Sequence, residues 1–282
     1  MTWFLLSITS VITLAIANLF QRILMKDETG NAVAYSFVFQ FMCASLIGLF
    51  AFAQGFIMPP IRELWLNFGL MTILYASGTI LLFKALQTTE ASRATILRSS
   101  AALWTITVAL TFLGESFNFF KFIGIGLILG GVLLVSFKKE EIKFTRGDLF
   151  ALGSAFCYGV AFANDTFILR QADALSYTTI AFLLPGLLIL AMKPGAIKDA
   201  KLFLKPSILL RMAILVILYS ASAIMVYLAY QQGGAASQLA AIAQSGVILT
   251  VMLAAIFLRE RSHLPRKFIA AVIATAGVLL IR

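Results

Sequence analysis

LTFLGESFNFFKFIGIGLILGGVLLVSF, residues 110–137, recurs near the end of the chain in a second version, LAAIFLRERSHLPRKFIAAVIATAGVLLI, residues 253–281. Glu115 of the first segment aligns with Glu260 of the second, and both segments contain Gly-Val-Leu-Leu close to their ends. A long apolar segment that recurs in this way indicates two copies of one structural unit within the chain.

Two further pairs of segments recur at nearly the same spacing. ILYASGTILLFKALQ at 73–87 resembles ILYSASAIMVYLAYQ at 217–231, and AIAN at 15–18 resembles AFAN at 161–164. All the matched positions are in the same order and are separated by 144 to 146 residues. One such match could arise by chance, but several in order at one spacing indicate a tandem repeat that covers most of the chain.

The amino-acid composition indicates an integral membrane protein. Of the 282 residues, 61% are hydrophobic and 12% are charged, and the mean hydropathy is +0.98. A soluble domain has about 45–50% apolar and about 25% charged residues. This chain therefore has too few polar side chains to cover a water-exposed surface.

The sequence predicts ten membrane spans, since each span needs about 20 mostly apolar residues. The spans are expected to be α-helices, because an open sheet edge in lipid would leave backbone groups unpaired. The longest connection, 193–211, has lysines at short intervals and is expected to form an interfacial amphipathic segment. The predicted spans are residues 3–24, 33–57, 66–87, 93–113, 119–137, 148–169, 176–192, 209–231, 235–258 and 267–281.

Each copy of the repeat contains five spans, so the second copy enters the membrane from the side opposite to the first. The expected fold is all-α, with ten transmembrane helices arranged as two inverted five-helix repeats. The expected boundaries are 1–137 for the first repeat, 138–147 for a charged connector and 148–282 for the second repeat. Inverted repeats of this kind predict a substrate site near mid-membrane and alternating access around it.

The repeated motifs resemble those of the drug/metabolite transporter superfamily, EamA type. The resemblance covers nearly the whole chain, and it rests on the Glu that ends each fourth helix and on the Gly-Val-Leu-Leu that ends each fifth. It implies a cavity between the halves and the transport of amino acids or other small metabolites. The chain departs from the family pattern at Ala102 and Val247, where the family often has proline, and at Arg259, where the first half has Gly114.

The basic residues indicate how the chain is oriented. About eighteen of the 22 Lys and Arg residues lie in the odd-numbered loops and nearby span ends, which by the positive-inside rule puts those loops in the cytoplasm and both termini outside. The family resemblance implies cytoplasmic termini instead. In both cases the expected location is the inner or plasma membrane. The net charge of +10 is interpreted as a topology signal and as contact with anionic lipid headgroups, and not as a sign of nucleic-acid binding.

Polar residues inside apolar spans are costly and usually face protein or water, so they are candidates for a substrate cavity. Helical spacing puts Tyr158 and Asp165 on one face of the sixth span. The family resemblance implies that spans one, three, four, six, eight and nine line the cavity. The resulting candidates are Asn18, Tyr75, Arg98, Ser100, Trp104, Tyr158, Asn164, Asp165, Tyr219, Gln244 and Ser245.

Each group of candidates also has a structural interpretation. A Ser or Thr commonly bonds a carbonyl of its own helix, and the aromatic residues can serve interhelical packing. Glu115 and Glu260 are expected to hold the turn after the fourth helix of each half. A further set of basic residues either snorkels to the headgroups or forms a positive vestibule that attracts a carboxylate, with Arg98 the deepest. This set is Arg22, Lys84, Arg93 and Arg98.

Asp165 is the only acid well inside an apolar span. It could pair with Arg170 or a water-filled mouth, bind the amine of a substrate, or take up a proton that couples transport. Its neighbour Asn164 is the repeat mate of Asn18, which predicts a shared scaffold with hydrogen bonds across the halves. Asp165 itself has Leu19 as its mate, and this asymmetry favours a functional role for the acid.

We expect a secondary transporter that exports amino acids, with aromatic or other bulky neutral ones first. A cavity rich in Tyr, Trp, Ser, Asn and Gln suits a neutral or zwitterionic solute. One alternative is uptake of a cationic or quaternary-amine solute, for which Tyr158 and Asp165 supply a ring and an acid. Another is flipping of an anionic lipid carrier at the basic vestibule.

Enzymatic activity is not expected. The chain has one histidine, His263, and neither a nucleophile elbow nor a set of metal ligands is visible. Cys43 and Cys157 fall in apolar runs and form no recognisable pair motif. The expected partners are a small-molecule substrate and the bilayer, without cofactor or metal. Since one chain contains both repeats, a monomer is sufficient.

Overall fold

A computed structural model describes residues 2–27, 31–112, 119–138, 141–142, 145–232, 236–260 and 262–281. Its helices in the first half are α1 (Thr2–Asp27), α2 (Ala32–Ala53), α3 (Trp65–Thr88), α4 (Ala91–Arg98), α5 (Ala101–Phe112) and α6 (Phe119–Ser136). A two-residue antiparallel ladder, β1 (Phe137–Lys138) with β2 (Glu141–Ile142), follows. The second half contains α7 (Arg146–Ile168), α8 (Ala174–Met192), α9 (Ala196–Ala200), a 3₁₀ turn (Lys201–Leu204), α10 (Pro206–Gln231), α11 (Ala236–Phe257) and α12 (Leu264–Ile281).

Several of the helices are long and apolar enough to cross a membrane. Two shorter apolar stretches, Phe122–Val135 and Gly246–Phe257, lie in α6 and α11. The chain is therefore a helical membrane protein, while the count of ten spans and the boundaries of the two repeats remain predictions. Within the described residues, the five long apolar segments are Trp3–Met25, Ala32–Ala53, Trp65–Thr88, Ala174–Met192 and Pro206–Val226.

The predicted fourth span, 93–113, consists of two helices, α4 and α5, with a turn between them. The hydroxyl groups of Ser99 and Ser100 donate hydrogen bonds to the carbonyl oxygens of Ile96 and Leu97, at 2.6 and 2.7 Å. Such local bonds compete with the helical ladder and favour a break. The corresponding helix of the second half, α11, is continuous.

The helices pack with an approximate two-fold symmetry. Helix α1 of the first half packs on α10 of the second half, and α7 of the second half packs on α3 of the first half. Two further pairs, α2 with α8 and α6 with α12, also join the halves. When the two halves are exchanged, the contact of α1 with α10 becomes the contact of α7 with α3. The pairs α2 with α8 and α6 with α12 map onto themselves, as expected for two repeats related by a two-fold axis.

The symmetry extends to individual hydrogen bonds. Between α1 and α10, the Oγ atoms of Ser10 and Ser222 are 2.8 Å apart, and each lies 3.0 Å from the other residue's carbonyl oxygen. Between α7 and α3, Ser154 donates to the carbonyl oxygen of Gly78 at 3.0 Å. Ser154 follows Ser10 by 144 residues, and Ser222 follows Gly78 by the same number. Equivalent positions of the two halves therefore form hydrogen bonds at both helix pairs, α1 with α10 and α7 with α3.

The Gly-Val-Leu-Leu motif allows the backbones of α6 and α12 to approach closely. A Cβ at Gly131 would lie 2.9 Å from the carbonyl oxygen of Ala270, and a Cβ at Gly277 would lie 2.7 Å from that of Gly124. Small residues permit such contacts between membrane helices. The repeated glycine thus positions one half against the other.

The connection between α8 and α10 is anchored on α2. Ala196 and Phe203 are buried, and the ring of Phe203 contacts that of Tyr35 edge-on at 4.6 Å. Phe203 and Tyr35 belong to a large apolar cluster built mainly from α1, α2, α3 and α10. The lysines of the connection are exposed.

Candidate functional site

One face of α7 carries the polar side chains that the sequence predicted to share a stripe, and this face lies against α3. The Tyr158 hydroxyl is 2.9 Å from Oγ1 of Thr79, and Asp165 accepts a hydrogen bond from the Tyr75 hydroxyl. Ser154 continues the row one turn earlier through its bond to Gly78. The polar stripe is therefore an interface between the two halves of the chain.

Asp165 is held by two tyrosines from two other helices. Tyr75 of α3 donates to Oδ2, and Tyr177 of α8 donates to Oδ1 at 2.5 Å. Asp165 is buried, and within the described part of the chain no cation forms an ion pair with it. Arg170, one predicted partner, lies exposed beyond the end of α7. Among the described residues, the acid thus has hydroxyl donors but no neutralising charge.

Asn164 pairs with Asn67, and the predicted bond between Asn164 and Asn18 does not form. Nδ2 of Asn67 donates to Oδ1 of Asn164 at 2.7 Å, and Nδ2 of Asn164 donates to the carbonyl oxygen of Asn67 at 3.0 Å. Asn18 lies instead beside Gln21 and Arg98. The reason is that α1 and α7 each pack on a helix of the opposite half, so repeat mates fall in separate interfaces.

Tyr158 connects an amide, a hydroxyl, a second tyrosine and an arginine. Thr79 bonds both Tyr158 and Nε2 of Gln40, each at 2.9 Å. The ring of Tyr158 contacts that of Tyr75 at 5.5 Å between centroids. The guanidinium carbon of Arg98 lies 5.0 Å from the Tyr158 ring centroid, within the range of a cation–π contact.

Arg98 is the last residue of α4 and lines a small cavity with Asn18 and Gln21. Its Nε is buried and has no hydrogen-bond partner among the described residues. An unsatisfied buried donor is unusual and suggests a group that a ligand or water completes. The cavity has a volume of about 10 Å³ and holds at most about one water molecule in this conformation.

Tyr219 reaches the same region from the second half. Its ring lies edge-on to those of Phe39 and Phe182, at 5.1 and 5.9 Å. It also lies within electrostatic range of Tyr158 and Arg98. Tyr219 is therefore held by aromatic packing and contributes a ring to this region.

The other predicted site residues do not join this cluster in the described structure. The hydroxyl of Ser100 bonds Leu97 within its own helical segment. Trp104 is 41% exposed, and its ring contacts that of Phe156 edge-on at 4.8 Å on the outer surface of α5 and α7. The last two candidates, on α11, have side chains outside the described part of the structure and are Gln244 and Ser245.

Glu260 joins the two halves at the end of the molecule where α1, α3 and α11 finish, here called the odd-loop end. Its carboxylate accepts hydrogen bonds from the backbone N–H groups of Ala91 and Ser92, at 2.9 and 3.1 Å, and from the Ser92 hydroxyl at 2.7 Å. Nε of Arg22 lies 3.8 Å from the same carboxylate. Glu260 therefore caps α4 of the opposite half, where unpaired N–H groups favour a carboxylate, a contact that the predicted role at its own turn did not include. Its repeat mate Glu115 lies outside the described residues.

Glu90 and Lys267 form a second link at the odd-loop end. Nζ of Lys267 donates to the Glu90 carboxylate and lies 3.3 Å from the Glu260 carbonyl oxygen, and Ser262 donates to Glu90 at 2.8 Å. Burial disfavours the charged form of Glu90, but the hydrogen bonds from Lys267 and Ser262 outweigh it and hold the pKa of Glu90 below its usual value.

Arg93 forms a buried two-point ion pair with Asp148. Its Nε and Nη2 lie 2.6 and 2.8 Å from the two carboxylate oxygens, and Nη1 donates to the carbonyl oxygen of Val135 at 2.6 Å. Asp148 also forms a capping box with Thr145 at the start of α7. The pair thus joins α4, α6 and α7.

These contacts reduce the number of basic residues that are available to form the predicted positive vestibule. Arg22 and Arg93 are engaged with acids, and Nζ of Lys84 lies 5.6 Å from the ring centroid of Phe150. Arg98 faces the cavity. Of the four basic residues considered, Arg98 is therefore the one positioned to meet a solute.

Four residues of the cluster escaped the sequence analysis. Gln40 and Asn67 are amides in or near apolar runs, and that signal could have identified them. Thr79 and Tyr177 are of types common in membrane helices and carried no comparable signal. Among the described residues, no group of three His, Cys, Asp or Glu side chains is arranged to hold a metal ion. The cluster is suited to binding a polar solute through hydrogen bonds and charges.

Comparisons with known proteins agree with the fold. The model of the EamA-like transporter family matches residues 1–137 and residues 145–282. A solved crystal structure superposes with a TM-score of 0.63 over 98% of this chain and 94% of that chain, at 14% sequence identity, which supports the fold alone. No curated protein matches the chain.

Proposed function

The chain belongs to the EamA-like transporter family, so it is a membrane transporter of small solutes and not an enzyme, and we propose that it exports amino acids across the inner or plasma membrane. Aromatic and other bulky neutral amino acids are the first candidates. In this proposal, transport proceeds by alternating access around the cluster that contains Arg98, Tyr158, Tyr75 and Asp165.

The proposal is supported by a row of contacts with a base at one end and an acid at the other. Arg98 stacks on Tyr158, Tyr158 contacts Tyr75, and Tyr75 donates a hydrogen bond to Asp165. A zwitterionic amino acid carries a carboxylate that Arg98 could bind and an ammonium group that Asp165 could bind. The rings between them offer an apolar surface to its side chain.

Alternating access needs a gate, and we assign one gate to the odd-loop end. Glu260 with Ala91, and Lys267 with Glu90, connect loops of opposite halves there. The cavity beside Arg98 is too small for a solute in this state. Entry from the odd-loop end therefore requires these contacts to separate, as in other transitions that repack a two-state interface.

Proton coupling is assigned to Asp165. Protonation would remove a buried charge that has no cationic partner in the described structure. It would also add a donor to a carboxyl that now only accepts. The test is the pH profile of transport in wild type and Asp165→Asn. The pH dependence should disappear in the variant, and an unchanged profile would exclude this role.

Counterflow in proteoliposomes across a panel of amino acids tests the proposed function. Arg98→Gln is expected to raise the half-saturating concentration of amino acids by about tenfold or more, because a charge-assisted hydrogen bond to the carboxylate is lost. Amino-acid amides, which lack that carboxylate, should be affected much less. Lys84→Gln is the matched control. Absence of counterflow with every amino acid would overturn the proposal.

A cationic or quaternary-amine substrate is the second candidate. Tyr75 and Tyr177 surround the Asp165 carboxylate, which gives an acid with aromatic neighbours. Their hydroxyl groups, not their ring faces, point at the acid, and this favours the amino-acid proposal. Counterflow of a quaternary amine that is insensitive to Arg98→Gln would favour the second candidate. An anionic lipid carrier would instead be indicated by competition from a lipid phosphate at Arg98.

A further inference from the structure

A groove of about 510 Å³ lies between the start of α2 and the connection that contains α9 and the 3₁₀ turn. It is separate from the cluster around Arg98, and no step of the proposed transport cycle uses it. Three lysines line the groove, together with Asn31 and Asp199. The lysines are Lys198, Lys201 and Lys205.

The walls of the groove are held in place by buried anchors. Phe203 packs edge-on against Tyr35 of α2, and Ala196 is fully buried. Asn31 caps α2 by accepting a hydrogen bond from the N–H of Val33 at 3.0 Å. The basic side chains are therefore carried on a backbone that is fixed to the membrane helices.

The groove has an excess of positive charge. Among the described residues that line it, Asp199 is the one acid, and it accepts a hydrogen bond from Nδ2 of Asn31 at 2.9 Å. The three lysines are exposed, and within the described part of the chain none of them has an ion-pair partner. Three lysines that line one groove suit a phosphate, which offers several acceptor oxygens and a negative charge.

Exposed apolar side chains lie close in sequence to the lysines that line the groove. Ile197 of α9 is exposed, as are Leu209 and Leu210 in the first turns of α10. A free phosphate would make no favourable contact with such a surface, whereas the acyl chains of a phospholipid would cover it. The groove also lies at the odd-loop end, which carries most of the basic residues of the chain. That end is expected to face the leaflet rich in anionic lipid.

The first half provides an internal comparison. The connection between α2 and α3, residues 54–64, occupies the place in the first half that the lysine-rich connection occupies in the second. It contains Arg62 and Glu63 and no lysine. The fold therefore does not require three lysines at this position.

We propose that the groove binds the phosphate headgroup of an anionic phospholipid, with the acyl chains lying along Ile197 and the start of α10. Basic pockets between membrane helices are a recurring mode of anionic-lipid recognition. The three ammonium groups hold the phosphate, and the exposed apolar side chains select a lipid over a soluble phosphate. This binding does not depend on which solute the protein transports.

The test measures lipid retention by native mass spectrometry of the full chain with phosphatidylglycerol or phosphatidylcholine. Wild type should retain phosphatidylglycerol selectively, and a triple variant with Lys198, Lys201 and Lys205 changed to Gln should lose about tenfold or more in apparent affinity. A matched triple variant removes three exposed basic residues of the same end and should retain the lipid. The control positions are Arg146, Lys193 and Arg259.

Three outcomes would overturn the assignment. Equal loss in both triple variants would indicate general attraction by the charged end and no site in the groove. Displacement of the lipid by inorganic phosphate at equal concentration would indicate a free-phosphate site. Retention of phosphatidylglycerol by the groove variant would exclude the groove. Thermal melts of all three proteins check folding, which should be unchanged because the substituted side chains are exposed.

Discussion

The Tyr177 hydroxyl donates a hydrogen bond of 2.5 Å to Oδ1 of Asp165, so α8 and α7 are joined through a buried carboxylate. Tyr75 reaches the other oxygen of the same carboxylate from α3. One acid of α7 therefore binds side chains from two other helices, α3 and α8. Substitution of any member should affect the others, and such coupling is measurable.

Asp165→Asn and Tyr177→Phe are expected to be non-additive, because the first replaces the charged acceptor of one hydrogen bond by a neutral amide and the second removes its donor. The coupling should be about 0.6 kcal/mol and no more than about 1.7 kcal/mol, the average and the maximum found for hydrogen bonds between membrane helices. It is measured as the free energy of unfolding in mixed micelles for wild type, both single variants and the double variant. The control pair is Asp165→Asn with Tyr219→Phe, whose effects should add. Additive effects for the Tyr177 pair would contradict the bond.

Glu260→Ala is expected to lower the free energy of unfolding by about 2 kcal/mol. The substitution leaves the N–H groups of Ala91 and Ser92 without their acceptor, and loss of a helix cap costs about 0.5–2 kcal/mol before the contact with Arg22 is considered. Chemical denaturation in micelles measures the change. Arg259→Gln, at the exposed neighbouring residue, should change it by less than about 0.5 kcal/mol.

The prediction for Glu260 also has a conformational part. If the contact with α4 closes the odd-loop end, Glu260→Ala should make a cysteine placed at Ala91 react faster with a water-soluble thiol reagent. Ala91 bonds Glu260 through its backbone N–H, which the cysteine keeps. The parent for this measurement has Cys43 and Cys157 replaced, since both are free thiols. Equal labelling rates with and without the Glu260 substitution would remove Glu260 from the gate.

The lowered pKa of Glu90 predicts that this residue makes a pH-dependent contribution to the stability of the folded protein. The pKa of Glu90 is lower in the folded protein than the unfolded value of about 4.3, so its ionised form stabilises the fold above that value. This contribution disappears as the pH falls through the lower folded-state pKa. Melting temperatures of wild type and Glu90→Gln should therefore differ near neutral pH and converge in acid. A difference that stays constant over the whole range would argue against the link to Lys267.

Alanine at Gly277 or Gly131 should destabilise the protein by about 1–3 kcal/mol, the usual effect of overpacking. The new methyl groups would lie 2.7 and 2.9 Å from carbonyl oxygens of the facing helix. Gly126→Ala and Gly130→Ala are matched controls in α6, because nothing lies within 4 Å of a Cβ at either position. These controls should be neutral or stabilising by up to about 1 kcal/mol. Unfolding in micelles distinguishes the two sets.

The repeat and the polar face of α7 could be derived from the sequence because both rest on spacing. Tyr158 and Asp165 are seven residues apart, which fixes them on one helical face whatever that face contacts. Their partners could not be derived in this way. Helical phase does not say that α7 packs on α3 of the other half, so the Asn67 partner of Asn164 was missed.

The two halves are not equivalent at every position of the repeat. The fourth and ninth predicted spans align in sequence, but Ser99 and Ser100 break the former into α4 and α5. The sequence predicted that Glu260 holds the turn in its own half, because alignment of the repeats shows equivalent positions but not contacts between the copies. The cap on α4 depends on three-dimensional proximity between residues such as Glu260 and Ala91, which are distant in the chain.

The crossed packing of α1 on α10 and of α3 on α7 has a consequence for biogenesis. When the ribosome has finished the first half, α1 is already in the membrane, but its partner helix, which begins at Pro206, has not been made. Until α10 arrives, Ser10 has no Ser222 to bond, and the contact face of α1 is covered by lipid or by the insertion machinery. Assembly is therefore completed late in translation, and two co-expressed fragments divided between the halves should recombine into one protein.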